Sequence, residues 1–550
     1  MRYDARYYAC QWSPKDSIRD PDTPSWAFSA HLHEYTSGRF LFNEQQRLQE
    51  RRQAFNVHEL ANVICGAISR PVEDLSSLEK FAEGGFNRIL QATFNDGREI
   101  LARLPFIPRL LYDILWQQGL PVPKVLEYSA DSHNSVGIEY LLLEKLPGRP
   151  LGDRWFSLEN KVVVKVVKQI VDLEQQYVSL RLPASGSLYH AKDLGEHETS
   201  VPLPGSTEDT DIVVGPIASY AWEYRERARL GVDRGPWQDF SSCFEAGGRR
   251  ELAFCKEYGQ PRLNVDRYLR ELDNLELQYP SYHAVLLNDF LRMVLILAIP
   301  SGSSFARPTL RHPDLSPNNI LVNDDNDIVG IIDWQHTIVL PLALCAGIPH
   351  FYQNWGDPIS ESLQKPETKL SADFDSLSPA EQKEQLDTIR RRLIHFYYAA
   401  LSLKKMEDHF DAFRNQNAML RAKLFSRAGG PWEGSSLSLE HAIIEAQQQW
   451  PMDLEGSSSG TVEPCPFRYS PERINACVKK VQEEEEKLEE LEDMRGMLGT
   501  DSQGWVQDDD HLARAKTMRD LMKSRWLKEC DTDLERKSIQ DHFPFDDHEE

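Results

Sequence analysis

An α+β, bilobal fold is what the sequence predicts: a small antiparallel-sheet lobe first, a mainly helical lobe second, and a helical acidic C-terminal extension. Three observations predict it. Strand-like runs broken by glycine turns fill residues 71–148, and helical periods dominate from Glu159 onward. Between Arg311 and Trp334 the stretch "RHPDLSPNNILVNDDNDIVGIIDW" sets polar groups at H-x-D-x-x-x-x-N, followed by a hairpin and a further Asp.

Taken in order, residues 1–70 hold a polar lead-in and one helical stretch, "NEQQRLQERRQAFNVHELANVICGAI". "LEKFAEGGFNRILQATFNDGREILARLPF" then reads as strand, glycine turn, strand, Asp96-Gly97 hairpin and strand. "GIEYLLLEKLPG" is a buried strand ending at Pro147-Gly148, which closes the small lobe at residue 148. The larger lobe, 149–428, opens with a helix from Glu159 to about Leu182 and a polar loop around "EHETSVPLPGSTEDTD". Further helices are expected at 217–230, 246–258, 265–276 and 281–298, and again from about 380 to 428. The extension, 429–550, begins with loops at "SRAGGPWEGSSLSLE" and "LEGSSSGTVEP". It continues with a charged helix whose Val478, Val481, Leu488 and Leu491 suit an amphipathic or short coiled-coil helix, or an acidic helix lying on the domain.

Composition excludes several classes. The 550 residues are 41% hydrophobic, enough for a large core, and the net charge of −24 disfavours nucleic acid and anionic membrane as partners. Val481–Glu550 carries 22 acids and 10 bases, about half of that excess. Eight scattered cysteines with no C-x-x-C give neither a zinc signature nor a disulfide framework. The most apolar run, "HAVLLNDFLRMVLILAIP", is broken by Asn288, Asp289 and Arg292 and reads as a buried helix, so no transmembrane segment is expected. "MRYDARYYACQW" lacks a secretory core and matches an amphipathic transit peptide poorly. No H-E-x-x-H or G-x-S-x-G occurs, and "RRR" at 390–392 reads as a solvated helix face.

The 311–334 stretch suits phosphoryl transfer, which needs a carboxylate aimed at the acceptor hydroxyl, oxygen ligands for magnesium, and cations or amides for phosphates. Asp314 is placed for the first task, while Asn319 and Asp333 supply hard oxygens. His312 is a brace for the loop.

These residues resemble the aminoglycoside phosphotransferase and choline kinase branch of the protein-kinase-like fold. "HPDLSPNN…IIDW" matches its catalytic loop and metal-binding Asp, and "EKFAEGGFNRILQATF", "ILARLPF", "GLPVPKVLEYS" and "GIEYLLLEKLPGRPL" match its small lobe in order. The likeness runs from about residue 34 to the end. It implies Asp314 as catalytic base, Asn319 and Asp333 as Mg2+ ligands, and Gly84 and Gly85 in the turn covering the nucleotide. It further implies Arg103 in place of the usual phosphate-gripping lysine, and Glu144 and Lys145 in the connector that holds adenine. ATP, Mg2+ and a small-molecule hydroxyl acceptor follow from it. The fungal members it follows along the whole chain imply a mitochondrial address, with cytoplasm as the alternative.

One departure affects function. Between Leu104 and Leu126 there is no Glu to pair with the cation; Asp113 is the only acid, and just 15 residues separate Arg103 from Gly119. A short helix over "PRLLYDILWQQG" is expected, with a weakened small lobe and Arg103 free to swing from the phosphates. Two functions therefore stand: an ATP-dependent small-molecule kinase, and a kinase-shaped pseudoenzyme that binds nucleotide or acts as a scaffold.

Overall fold

The computed structural model describes residues 30–84, 87–104, 110–204, 212–450 and 463–548. Strand β1 (Arg39–Phe40) and helices α1 (Glu44–Glu50) and α2 (Val57–Ala67) precede a five-stranded antiparallel sheet. That sheet consists of β2 (Leu75–Glu83), β3 (Arg88–Phe94), β4 (Glu99–Leu104), β5 (Val125–Ser129) and β6 (Tyr140–Glu144), in the order β2-β3-β4-β6-β5. Helix α3 (Leu110–Gln117) lies between β4 and β5.

Alternation builds this lobe. β3 buries Arg88, Leu90, Ala92 and Phe94, every second residue, as a pleated strand must. Leu90, Ala92, Ile100, Ala102 and Leu142 share one core with Leu60, Ala61 and Ile64 of α2. The opposite face contributes Leu141 and Leu143 to a second core, with Leu111, Ile114 and Leu115 of α3 and with Ile320, Ile331 and Trp334 of the larger lobe. The short helix therefore forms, and it seals the two lobes together. Gly119 ends it at φ +77, letting the Leu120 amide reach the Leu115 carbonyl at 3.0 Å while the Gly119 amide reaches the Trp116 carbonyl at 2.9 Å.

In the larger lobe, α4 (Asn160–Val178) buries Val163, Val166, Val167, Ile170 and Val171 along one face. Helices Phe240–Glu257 and Pro280–Leu297 form the other half of the core through Phe244, Leu286 and Phe290. They approach so closely that a Cβ on Gly248 would lie 2.6 Å from the Phe290 ring. The hairpin Ile320–Val322 and Ile328–Ile331 turns at 324–327.

The C-terminal extension is not a separate appendage. After helix Pro471–Leu498, residues Trp505–Val506 pair antiparallel with β1. Leu491, Met494, Leu498, Phe543 and Phe545 then bury Leu41 and Phe42. The Asn43 side chain exchanges two hydrogen bonds with His548, donating to its carbonyl at 2.8 Å and accepting from its amide at 2.7 Å. Of the three expected descriptions of the acidic helix, the one observed lies on the domain, with Cys477 and Leu491 buried and Lys487 paired to Glu271 at 3.0 Å.

Several expectations are corrected. The lead-in stretch is two helices, because the Asn56 side chain accepts from the Glu59 amide at 3.1 Å and starts a new one. The 246–258 helix begins earlier, at Phe240, where Asp239 caps it. Segment 217–230 holds only Tyr220–Glu223 and a 3-10 turn, interrupted at Arg225 with φ +55. Segment 265–276 is likewise a 3-10 turn, stopped by left-handed Asn274 and Leu275. The loop expected over 426–440 already contains the start of helix Leu437–Gln448, and most of "LEGSSSGTVEP" lies outside the described residues. The run "HAVLLNDFLRMVLILAIP" is buried on one face only, since Val285 and Leu295 are exposed. The 390–392 arginines are not simply solvated: Arg390 donates to the Leu158 carbonyl at 2.6 Å, and Arg392 forks onto Asp357 at 2.6 and 3.0 Å. No helix among the described residues is long and apolar enough to cross a membrane.

Beside β6, burial pushes the Glu139 carboxyl up to about 7, with Asp131 adding to the shift. Since the folded state favours the protonated form, stability from this group is complete below the ordinary carboxylate range and is lost as pH rises through about 7. Urea midpoints at pH 5 and pH 8 should therefore differ less for Glu139→Gln than for the wild type. Equal differences in the two proteins would remove Glu139 as the cause.

Candidate active site

Asp314 stands in an exposed loop, but its setting is rigid. The Asn319 amide nitrogen donates to the Asp314 carbonyl at 2.8 Å and to its carboxylate at 3.1 Å. Both amide hydrogens are thereby used, leaving the Asn319 carbonyl oxygen for another partner. The Asp314 amide donates to His312 Nδ1 at 3.1 Å, so the ring proton resides on Nε2, which donates to the Ile332 carbonyl at 3.0 Å. Burial lowers His312 to about 4, so the ring is neutral at physiological pH. Its edge contact with Trp334, centroids 4.4 Å apart, completes a brace between the Asp314 loop and the strand end carrying Asp333. The Ile332 amide also donates to the Asn319 main-chain carbonyl at 2.9 Å, which brings the Asn319 and Asp333 segments side by side.

Beneath the loop, Arg311 is fastened by Glu174 at 3.0 Å and by the Gly347 carbonyl at 3.0 Å. Tyr398 donates to the same Glu174 at 2.5 Å, and His409 contacts the guanidinium. Burial opposes the charge on Arg311, but Glu174 and its neighbours outweigh it, and the guanidinium is held more firmly protonated than usual. Arg311 adjoins the motif in sequence, yet its partners come from α4 and from helices Pro379–Lys405 and Glu407–Arg414. Only the fold reveals them.

The expectation that Arg103 lacks an anchor is overturned. Its Nη2 donates to Asp333 Oδ1 at 2.9 Å and to Gln335 Oε1 at 2.8 Å. The guanidinium is 6% exposed and the Asp333 side chain 40%. The physical reason is local: Asp333 takes a left-handed turn at φ +63, which swings its carboxylate toward the third strand of the sheet. The short helix α3 contributes no carboxylate there. It contributes Tyr112, whose buried hydroxyl meets the backbone amides of Asp333 and Trp334 and whose ionisation burial suppresses. Sequence reasoning missed Gln335 and Tyr112; the single available signal was the position of Gln335 two residues after Asp333.

The remaining expected positions divide. Gly84 donates its amide to the Asn87 carbonyl at 2.8 Å, closing the β2–β3 turn, and Asn87 in turn reaches Gln335 at 3.3 Å. Gly85 lies outside the described residues, as does the 105–109 stretch after β4. The Glu144 amide, expected to face a base, is spent on the Lys124 carbonyl at 2.9 Å. Lys145 turns its ammonium to Glu99 and Gln91, both at 2.9 Å, over the Phe81 ring. Asp314, Asn319, Asp333, Arg103 and the Gly84 turn are thus one connected cluster, while the Lys145 side chain ties the connector to β3 and β4.

Among the described residues no three His, Cys, Asp or Glu side chains gather as a metal site. A magnesium ion brought by a nucleotide does not require one: it takes one or two protein oxygens together with phosphates and water. Asn319 Oδ1 and Asp333 Oδ2 fit that requirement.

A sheet lobe with a glycine turn and a central cation, above a helical lobe with this loop and hairpin, defines a protein of phosphotransferase-like fold. Residues 102–343 match the profile of the phosphotransferase enzyme family. A subtelomeric hrmA-associated cluster protein of Aspergillus fumigatus is 30% identical over 494 residues, covering 81% of this chain and 92% of that protein. The chain belongs to the phosphotransferase enzyme family. The mitochondrial protein called altered inheritance of mitochondria protein 9, from Saccharomyces cerevisiae, is 24% identical over 488 residues, covering 79% of this chain and 73% of its own. Among solved structures, an ethanolamine kinase of Plasmodium vivax aligns with 12% identity and a TM-score of 0.32, covering 75% of this chain and 82% of that one. Choline kinase LicA of Streptococcus pneumoniae aligns with 10% identity and a TM-score of 0.28, covering 77% and 99%.

Replacing His312 with Ala strips a partner from the Asp314 amide and the Ile332 carbonyl. It should cost about 2–4 kcal/mol in urea unfolding, given about 1–3 kcal/mol for each buried group left unpaired. A loss below about 0.5 kcal/mol, within the range of ordinary surface substitutions, would show that the brace contributes nothing.

Proposed function

We propose that this protein is an ATP- and Mg2+-dependent phosphotransferase that moves the γ-phosphate onto a hydroxyl of a small molecule. The observation that carries the reading is the doubly hydrogen-bonded Asn319 amide, which aims an exposed Asp314 carboxylate beside the Asn319–Asp333 oxygens. Asp314 accepts the acceptor's hydroxyl proton as the oxygen–phosphorus bond forms, and ADP leaves with the electrons of the broken bond. Asn319 and Asp333 would hold the metal, which when bound would supply neutralisation of phosphate charge. This reading gives Gly84 and Gly85 the covering of the phosphates, Arg103 their grip, and the Glu144–Lys145 connector the border of the base. The names of the yeast relatives support residence in the mitochondrion, with the cytoplasm as the alternative.

A second reading, a nucleotide-binding pseudoenzyme or scaffold, is favoured by one observation: Arg103 rests on Asp333, taking one of its two carboxylate oxygens and part of its negative charge. The two readings share nucleotide binding and differ in transfer.

Thermal unfolding should therefore shift upward with ATP and magnesium, by an amount equivalent to about 2.7 kcal/mol at a hundredfold excess over Kd. Asp333→Ala should lose most of the magnesium-dependent part of that shift. No response to millimolar ATP in the wild type would defeat both readings.

Once an acceptor is found by screening metabolites with labelled ATP, Asp314→Asn should lower kcat by about 10²–10⁴-fold with little change in nucleotide affinity, because an amide cannot take the proton. Undiminished turnover would exclude Asp314 as the base, and absence of transfer to any acceptor would favour the pseudoenzyme.

A further inference from the structure

The cation on β4 has no carboxylate to anchor it from α3, yet it is neither free nor held by Asp333 alone. Gln335 Oε1 accepts from Arg103 Nη2 at 2.8 Å and from Asn87 Nδ2 at 3.3 Å. Its own amide nitrogen donates to His336 Nε2 at 2.9 Å. The orientation is forced: with the amide reversed, NH2 would face a guanidinium and a second NH2, three donors without an acceptor. Two left-handed residues, Asp333 at φ +63 and His336 at φ +61, flank this amide and fold the segment so that residues 333 and 335 both meet Arg103. Asn87 matters because it closes the covering turn. Its carbonyl takes the Gly84 amide at 2.8 Å, and a Cβ on Gly84 would lie 3.2 Å from its side-chain oxygen.

We infer that Gln335 is a positioning residue that replaces the absent helix carboxylate, holding Arg103 in the cleft while pinning Asn87, at the start of β3, to the strand end that carries Asp333. This rests on the phosphotransferase reading of the site and goes beyond it. A neutral anchor has a consequence that a glutamate would not. A carboxylate at 335 would compete for the guanidinium; an amide lets Arg103 remain shared with Asp333 while the cleft is empty. Nucleotide phosphates then draw Arg103 off Asp333 Oδ1, freeing that oxygen, and Gln335 keeps the guanidinium from swinging out. Turn, cation and metal ligand are thereby set by one amide.

The test has an arm that needs no nucleotide. In the free protein, hydrogen exchange across residues 80–90 should quicken about two- to tenfold in Gln335→Ala, the scale expected when the neutral hydrogen bond between Asn87 and Gln335 is lost. Gln335→Glu retains the acceptor for Asn87 and should restore exchange to about the wild-type rate. Wild-type exchange rates in the local openings of helix Phe240–Glu257 in both variants separate this from general destabilisation. In the second arm, calorimetric binding of ATP with magnesium should weaken about tenfold in Gln335→Ala, and any transfer activity should lose through KM rather than kcat. Wild-type exchange in Gln335→Ala overturns the inference whether or not nucleotide binds. A wild-type protein that binds no ATP defeats the phosphotransferase reading instead, and the exchange arm still decides the role of Gln335.

Discussion

The pair formed by Arg103 and Asp333 joins the two lobes at the point where chemistry would occur. One partner belongs to the sheet and the other to the end of the hairpin strand, 230 positions later in the chain. A guanidinium almost fully withdrawn from water needs an acceptor for its hydrogens, and the turn at Asp333 supplies one at 2.9 Å. Everything that sets Asp333 therefore sets Arg103. The His312 brace, the Tyr112 hydroxyl on the Asp333 and Trp334 amides, and the Gln335 amide all converge on four consecutive residues. The same pair explains how a kinase-like site tolerates a shortened third connection. The helix that would ordinarily carry a carboxylate is needed here only for its apolar face and one tyrosine.

A second constraint lies below the loop. Arg311 and Glu174 are buried charges, which persist only when hydrogen-bonded as well as paired. Tyr398, the Gly347 carbonyl and His409 meet that need. The Asp314 loop is thus clamped from beneath by helices whose other faces belong to the main core, so loop geometry and core packing cannot vary independently.

The C-terminal extension reaches the covering turn by a different route. Glu83, the residue before Gly84, accepts from the Thr36 amide at 2.8 Å and from Arg88, whose Nη1 donates to the Leu32 carbonyl at 2.6 Å. The segment they grip continues into β1, which pairs with Trp505–Val506. Residues at the two ends of the described chain are consequently part of the support for the β2–β3 hairpin, and the acidic composition of the tail has a structural setting on the domain surface.

Much of this was legible in the amino-acid order. Period-two runs around Gly84 and Asp96-Gly97 specify the hairpins, because alternating side chains leave only one register that buries Leu90 and Ala92. The spacing of His312, Asp314, Asn319 and Asp333 is local and stereochemically tight, so the His312 brace could be read before any fold was known, whereas the Asn319 amide bridge to Asp314 emerged only with the structure. What the order could not disclose were partners distant along the chain. Arg103 looked unanchored because sequence offered only the neighbouring helix as a source of charge. The anchor came from residues 333 and 335, through two left-handed turns that no propensity announces. Likewise Arg390 looked like a solvated side chain until Leu158 was folded beneath it. The sequence by itself determined the elements, the motif and the chemistry of each side chain, because these follow from covalent order and local sterics. Only the tertiary structure decided which donor meets which acceptor, because long-range hydrogen bonds depend on where the buried cores bring the chain back upon itself.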